Sequence, residues 1–175
     1  MNGHVLILGG ARSGKSNYAE EVSLALGSRP AYLATAEARD AEMSERIGLH
    51  RMRRGERFAT YEEPLAVLTT LSTIGANHDL VLFDCVTLWI SNMMGAEENV
   101  ADAVGALAAW LESHSTPRLV IVSNEVGMSI VPENAMARHF RDLAGAANQR
   151  LAQACDTVVF TLAGISMPMK GKLPV

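Results

Sequence analysis

Gly9-Gly10-Ala11-Arg12-Ser13-Gly14-Lys15-Ser16 is the stretch that decides the fold of this chain of 175 residues. It fits the phosphate-binding pattern G-x-x-x-x-G-K-[ST] in full, between an apolar strand-like run and a helical run. Its glycines let successive backbone N–H groups turn toward phosphate oxygens, and the following helix adds the positive end of its dipole. Lys15 is expected to reach the β- and γ-phosphates and the Ser16 hydroxyl to bind Mg²⁺. The alternative is a glycine-rich turn with a solvated lysine.

Short apolar runs alternate with longer helical patterns along the rest of the chain, which is typical of βαβ units around a parallel sheet. The predicted strands are His4–Leu8, Ala31–Ala34, Phe58–Tyr61, Leu80–Phe83, Leu119–Val122 and, as the last one, Thr157–Leu162. The predicted helices are Ser16–Leu26, Asp40–Arg54, Pro64–Ile74, Val100–Leu111 and Ala135–Ala154. The pattern therefore predicts an α/β fold, one domain over residues 1–175, with a mostly parallel central sheet flanked by helices.

Several polar residues directly follow predicted strands. They are Thr35, Asp84 and the segment Ser123-Asn124-Glu125. Because ligands of parallel α/β sheets bind at the carboxyl ends of the strands, we expect these residues to share one site with the phosphate-binding loop. Asp84 is interpreted as a ligand of the same Mg²⁺ as Ser16, and a cap for the next element is the alternative.

The segment from Arg46 to Arg54 is strongly cationic. Arg46, His50 and Arg54 are spaced by four residues and therefore line one helical face, with Arg53 close to it. Arginines near a histidine repel its protonated form, and a neutral imidazole is a nucleophile that can attack a phosphate held by those arginines. The pattern is what nucleotidyl transfer through a phosphohistidine-type intermediate requires. The alternative is a solvated basic helix face whose histidine has no role.

Composition and charge narrow the class of protein. The formal net charge of −4 at pH 7 argues against a general nucleic-acid binder. Cys85 and Cys155 both lie in apolar stretches and are expected to be buried rather than disulfide-bonded or metal-bound. No signal peptide and no membrane span is recognised, so a cytoplasmic protein is expected.

A phosphate-binding loop alone does not separate kinases from GTPases and motor ATPases. No Asn-Lys-x-Asp segment of the ordinary guanine-reading kind is recognised, and a chain of 175 residues leaves little room for a motor. A small-molecule kinase is the generic expectation. A non-catalytic nucleotide-sensing module is the alternative from another class.

Five segments together resemble one family in order and spacing. They are GGARSGKS, YLATAEARDAEMSERIGLHRMRR, EEP, FDCVTLWISN and VSNEVGMSIVPENAMARHFRDLAGAANQRLA. In this order they are similar to the adenosylcobinamide kinase/adenosylcobinamide-phosphate guanylyltransferase family of cobalamin biosynthesis. The resemblance runs from about Val5 to the C-terminus, and the segment around Asn124-Glu125-Val126-Gly127 is much more specific than a phosphate-binding loop.

The resemblance implies a RecA-like P-loop NTPase fold, a homotrimer and two successive reactions. Enzymes of this family phosphorylate adenosylcobinamide with ATP or GTP, then transfer GMP from GTP through a GMP–histidine. The resemblance assigns that histidine to His50. Lys15, from the phosphate-binding loop, is the second expected catalytic residue, and Ser16 and Asp84 remain the expected Mg²⁺ ligands. The nucleotide contacts that the resemblance implies are Gly9, Gly10, Ala11, Arg12, Ser13, Gly14, Lys15, Ser16, Ala34, Thr35, Ala36, Arg51, Met52, Arg53, Arg54, Glu62 and Asp84.

Two positions depart from the family pattern. Some relatives carry adjacent histidines where this chain has Leu49-His50, so only His50 is available here. Ser129 stands where a glycine often follows Val-Gly-Met in the family. The second change is expected to alter a loop rather than the chemistry.

Overall fold

The computed structural model describes residues 3–38 and 41–175, without the side chains at positions 42, 43, 46, 49, 50, 53 and 54. In this part the strands are β1 Val5–Gly9, β2 Pro30–Ala34, β3 Ala59–Glu62, β4 Leu80–Asp84, β5 Arg118–Asn124, β6 Thr157–Leu162 and β7 Ile165–Lys170. The α-helices are α1 Lys15–Leu26, α2 Ala41–Arg54, α3 Val67–Ile74, α4 Val86–Gly95, α5 Val100–Ser113 and α6 Ala135–Ala154. A 3-10 turn at Gly55–Arg57 joins α2 to β3.

The strands form one sheet in the order β3-β2-β4-β5-β1-β6-β7. Every neighbouring pair from β3 to β6 is parallel, and β7 pairs antiparallel with β6. The predicted mostly parallel sheet is confirmed. The prediction that Thr157–Leu162 is the last strand is wrong, because the chain turns at Ala163-Gly164 and returns as β7.

Both faces of the sheet are buried, which explains why its inner strands are continuous apolar runs rather than alternating ones. Leu6 of β1 and Phe83 of β4 pack on one face, whereas Ile7 and Leu82 pack on the other. Cys85 and Cys155 are buried and free, as the sequence predicted.

Helix α4 was missed by the sequence pattern. Buried residues lie on every side of this helix, so it shows no clear amphipathic period, and Trp89, Ile90 and Met93 are in the core. Helix α3 begins at Val67 rather than at Pro64. The Glu63 carboxylate accepts the backbone N–H groups of residues 65 and 66, which makes the preceding stretch a turn.

Among the described residues, no helix is long and apolar enough to cross a membrane.

Candidate active site

The register of the sheet brings the predicted strand-end residues to one edge. Ala34 of β2 pairs with Glu62 on one side and with Asp84 on the other. Gly9, the first residue of the phosphate-binding loop, pairs with Asn124. Since all these strands are parallel, their carboxyl ends lie together. The edge therefore carries the loop, two carboxylates and an amide.

The phosphate-binding loop has the close packing that its glycines permit. A Cβ on Gly9 would lie 2.4 Å from the Thr161 carbonyl oxygen, so no larger residue fits there. Gly14 has φ of +97°, in the left-handed region that favours glycine, and it precedes the first residue of α1. The Ser13 N–H donates to the Gly10 carbonyl oxygen at 3.3 Å and closes the loop. The loop is thus folded as a cradle at the amino end of a helix.

Lys15 lies inside this cradle. Its side chain is buried, with 6% exposed, and its Nζ donates to the carbonyl oxygen of Gly10 at 3.1 Å. The ammonium group therefore points back over the loop, where a bound phosphate chain would meet it.

The turn between β6 and β7 supports the cradle from outside. The Gly164 N–H donates to the Ser13 carbonyl oxygen at 2.8 Å, and the position for a Cβ on Gly14 lies 3.2 Å from the Gly164 Cα. Gly164 itself has φ of +80°. The sequence pattern missed this support, although two residues of a turn signal, Ala163-Gly164, directly follow the last predicted strand.

Asp84 and Thr35 occupy different roles at the end of β4 and β2. The Tyr32 hydroxyl donates to Asp84 Oδ2 at 2.6 Å and orients that carboxylate. The Thr35 side chain is fully buried, accepting from the Cys85 N–H at 3.0 Å and donating to the Cys85 carbonyl oxygen at 2.9 Å. Thr35 thus stabilises the edge, since its hydroxyl is bonded within the protein and its backbone N–H donates to the Asp84 carbonyl oxygen at 3.2 Å.

Cys85 adds no nucleophile to the edge. Burial, together with the neighbouring Asp84 charge, raises the pKa of its thiol to about 11. The thiol is therefore neutral at pH 7 and packs as a small apolar group.

Asn92 of α4 is a structural residue of the site that the sequence analysis missed. Its buried Nδ2 donates to the Thr35 carbonyl oxygen at 2.8 Å and to the Pro64 carbonyl oxygen at 3.1 Å. One amide thereby joins the segments that follow β2 and β3. A lone Asn within the apolar run of α4 was the available signal, because a buried amide needs partners.

Helix α2 follows β2 and carries the predicted histidine chemistry. The structure confirms a helix at Ala41–Arg54, so His50 lies in its last two turns. The side chains of His50, Arg53 and Arg54 lie outside the described residues. Arg51 forms an ion pair and hydrogen bond with Glu62, and both side chains are about half exposed (54% and 51%). Met52 is exposed.

A second ion pair holds the end of this helical arm. Arg57, in the 3-10 turn after α2, lies 3.9 Å from the carboxylate of Glu20, which is buried in α1. An open pocket of about 580 Å³ lies beside the arm and is lined by Arg51, Gly55, Thr60 and Glu62. The arm is therefore attached to the same edge as the cradle, with a hollow next to it.

Asn124 and Glu125 end the strand between the cradle and Asp84. The Asn124 amide donates to the Thr87 hydroxyl at 2.7 Å, and the Glu125 N–H donates to the Gly9 carbonyl oxygen at 3.1 Å. The Glu125 carboxylate accepts from the Gly127 N–H at 2.7 Å. These bonds fix the start of the following loop to the cradle.

The residues at this edge fit a nucleotide with Mg²⁺. The cradle offers backbone N–H groups and Lys15, and Gly10 has open space where a side chain would stand. Ser16 and Asp84 supply a hydroxyl and a carboxylate, which are the hard oxygen ligands that Mg²⁺ prefers. The described residues contain no cluster of three His, Cys, Asp or Glu side chains able to hold a metal. Mg²⁺ does not need one, since it is usually bound by one or two protein oxygens together with substrate phosphates.

A phosphate cradle at the carboxyl edge of a mostly parallel sheet defines a P-loop nucleotide-binding protein. The particular family follows from the sequence. The chain belongs to the family described as "Cobinamide kinase / cobinamide phosphate guanyltransferase", whose profile matches residues 5–169.

Curated relatives agree with this family. The chain is 40% identical to the bifunctional adenosylcobalamin biosynthesis protein CobP of Pseudomonas aeruginosa, over 95% of this chain and 97% of the relative. It is 37% identical to the protein CobU of Salmonella typhimurium, which bears the same bifunctional description, over 95% and 99% of the two chains.

The fold also resembles a solved structure of low sequence identity. A prototypical ATPase from the type III secretion system of pathogenic bacteria aligns with a TM-score of 0.53 at 13% identity. The alignment covers 91% of this chain and 51% of that one, so this chain spans about half of that ATPase. The likeness supports the RecA-like P-loop NTPase fold.

Proposed function

We propose that this enzyme phosphorylates adenosylcobinamide with ATP or GTP and then transfers GMP from GTP to the product, giving adenosylcobinamide-GDP. The observation that supports it is that the phosphate cradle around Lys15 and the arm that carries His50 are both attached at the carboxyl edge of the sheet. A kinase needs the cradle alone, whereas nucleotidyl transfer through a covalent intermediate also needs a nucleophile on the enzyme. Membership of the cobinamide kinase family indicates that the acceptor of both groups is adenosylcobinamide or its phosphate.

In the kinase step, the acceptor hydroxyl oxygen bonds to the γ-phosphorus as the bond to the nucleoside diphosphate breaks, and the hydroxyl proton passes to water. Lys15 and the backbone N–H groups of the loop stabilise the negative charge on the phosphates. Ser16 and Asp84 would hold Mg²⁺, which when bound neutralises charge between the β- and γ-phosphates. Tyr32 keeps the Asp84 carboxylate oriented for this task.

In the guanylyl step, an imidazole nitrogen of His50 bonds to the α-phosphorus of GTP, and pyrophosphate leaves. A phosphate oxygen of adenosylcobinamide phosphate then bonds to the same phosphorus, and the phosphorus–nitrogen bond breaks. Arg51, with Arg53 and Arg54 of the same helix, would balance the charge of the departing phosphates. Glu62 orients Arg51 through their ion pair.

We further propose a cytoplasmic homotrimer. An oligomer is supported by edge strand β7, where Ile165 and Met169 are 66% and 69% exposed. An edge strand with apolar side chains is a surface that natural proteins usually cover. The trimer itself rests on the family resemblance, and sedimentation of the purified protein tests it.

The test of the bifunctional proposal uses GTP labelled on its α-phosphate. Purified protein is incubated with Mg²⁺ and this GTP, denatured, and analysed by mass spectrometry. We expect a GMP adduct on His50, and we expect His50→Ala to lose the adduct while retaining phosphorylation of adenosylcobinamide. His139→Ala, a change of an exposed histidine on α6, is the matched control and keeps the adduct.

Two results would contradict the proposal in different ways. Phosphorylation with no adduct in the wild-type protein would leave a plain small-molecule kinase. Tight GTP binding with neither reaction on any cobinamide would leave a nucleotide sensor.

A further inference from the structure

Helix α6 extends well beyond the edge of the sheet that carries the phosphate cradle. It connects the carboxyl end of β5 to the amino end of β6, so its amino end lies on the cradle side. The Asn148 amide donates to the Asn124 carbonyl oxygen at 3.2 Å, which sets Asn148 level with the sheet edge. At 1.5 Å per residue, the part of α6 from Ala135 to Asn148 therefore rises about 20 Å above that edge.

The loop from Val126 to Asn134 leads from the sheet edge to the start of α6 and is held by its own hydrogen bonds. The Ser129 hydroxyl donates to the Val126 carbonyl oxygen at 2.9 Å. Arg138 of α6 donates from Nη1 to the carbonyl oxygens of Pro132 and Glu133, at 3.0 and 2.5 Å. The Asn134 side chain caps the helix by accepting from the backbone N–H groups of residues 136 and 137. These hydrogen bonds hold the loop in one conformation.

This fixed loop presents large apolar side chains to solvent. Met128 is 80% exposed, Ile130 93%, Val131 60% and Met136, in the first turn of α6, 70%. Isolated exposed apolar residues are ordinary, but four within nine residues of a pinned segment form a patch that indicates a binding surface. We name Met128, Ile130, Val131 and Met136 the apolar wall.

The apolar wall is tied directly to the reaction site. The Glu125 N–H donates to the Gly9 carbonyl oxygen at 3.1 Å, and the wall begins three residues later. Five residues of extended chain span at most about 17 Å, so Ile130 lies within that distance of Glu125. The wall is therefore within reach of a large acceptor whose hydroxyl lies at the cradle.

We propose that the apolar wall is the subsite that binds the corrin macrocycle of the acceptor during both reactions. This inference rests on the proposed function. The macrocycle is broad, and methyl groups lie along its rim together with amide side chains. It therefore needs apolar contact area outside the phosphate cradle. Methionine side chains suit such an irregular outline because they are unbranched and polarizable. The nucleotide is a poor occupant for the wall, since its phosphates need the charges of Lys15 and Arg51.

The test changes polarity while it preserves size. Met128→Gln and Ile130→Thr are combined in one variant of the full chain, and Leu173→Gln is the matched control. Leu173 is 38% exposed in the C-terminal tail and belongs neither to the wall nor to edge strand β7. Adenosylcobinamide affinity is measured by equilibrium dialysis, which uses the visible absorbance of the corrinoid and needs no turnover. Formation of the GMP adduct from GTP is measured in parallel.

The double variant should bind adenosylcobinamide at least about ten-fold more weakly and form the GMP adduct at the wild-type rate. The control should match the wild type in both measurements. Unchanged corrinoid affinity in the double variant would overturn the inference. So would a smaller oligomer in sedimentation, because the wall would then be a contact between copies of this chain. Failure of the bifunctional proposal looks different, as the wild-type protein itself would lack the adduct or the turnover.

Discussion

The phosphate cradle and the α2 arm stand at one edge of the sheet but are held there by different forces. The cradle is fixed by buried backbone hydrogen bonds and glycine packing, and Lys15 is 6% exposed. The arm is attached by ion pairs at the surface, such as Arg51–Glu62, whose side chains are half exposed. A surface ion pair contributes little stability, typically about 1 kcal/mol or less. The difference indicates that the cradle is part of the core, whereas the arm, to which we assign the transfer chemistry, is attached at the surface.

The largest effect should come from the cradle. Lys15→Ala removes the charge that faces the phosphates, and we expect both reactions to fall by about 10²- to 10³-fold in kcat/KM. Steady-state kinetics with each acceptor measures this, and Lys172→Ala, at an exposed lysine of the C-terminal tail, is the control. Turnover at the wild-type rate in Lys15→Ala would show that the phosphate cradle does not act through Lys15 in either reaction.

A change in the arm should separate the two reactions. Glu62→Gln breaks the pairing with Arg51, and we expect the rate of adduct formation at His50 to fall about ten-fold because an arginine–carboxylate pair orients the guanidinium. Phosphorylation of adenosylcobinamide should change little. Glu112→Gln is matched to it, since Glu112 is also half exposed and pairs with Arg150 at 2.7 Å. An equal loss of both reactions would mean that arm and cradle act as one unit.

A third change tests the support behind the cradle. Gly164→Ala places a side chain at φ of +80°, which should cost about 1–2 kcal/mol of unfolding free energy. Nucleotide affinity should also fall several-fold, because the Gly164 N–H holds the Ser13 carbonyl oxygen. Denaturant unfolding and isothermal titration measure the two quantities. Gly105→Ala, inside α5 with open space around its Cβ, should instead stabilise by about 0.5–1 kcal/mol.

The smallest effect concerns a site far from both regions. His4 is buried, and burial lowers the pKa of its imidazole. A hydrogen bond from the ring to the His114 carbonyl oxygen acts in the opposite direction but is the smaller effect. Its Nδ1 accepts the Leu119 N–H at 3.0 Å, which requires the neutral ring. The folded pKa lies below the unfolded one, so this stabilisation is present above about pH 6.5 and is lost as the pH falls.

We therefore expect the unfolding free energy to decrease between pH 7 and pH 5, and His4→Gln to flatten that dependence. Denaturant unfolding at several pH values measures it. His139→Gln, at an exposed position on α6, should leave the slope unchanged. Identical slopes for the wild type and His4→Gln would show that protonation of His4 does not contribute.

Much of the fold was predictable because local sequence patterns indicate its strands and helices. Parallel strands buried on both faces are continuous apolar runs, and the helices between them carry their own period, so the strands from β1 to β6 were all located. Helix α4 was not located, because it is buried on every side and so has no such period. Strand β7 was not located either, because Pro168 and its neighbours give no clear alternation of buried and exposed positions.

The sequence by itself determined the phosphate-binding loop, the α/β class and the family, since these depend on residue types at fixed spacings. Only the tertiary structure decided which groups meet at the edge. The pairing of Tyr32 with Asp84, the support of Ser13 by Gly164 and the link from Asn92 to Thr35 join residues 52, 151 and 57 positions apart. No local pattern encodes such contacts, because they exist only once the sheet order has set which strand ends are neighbours.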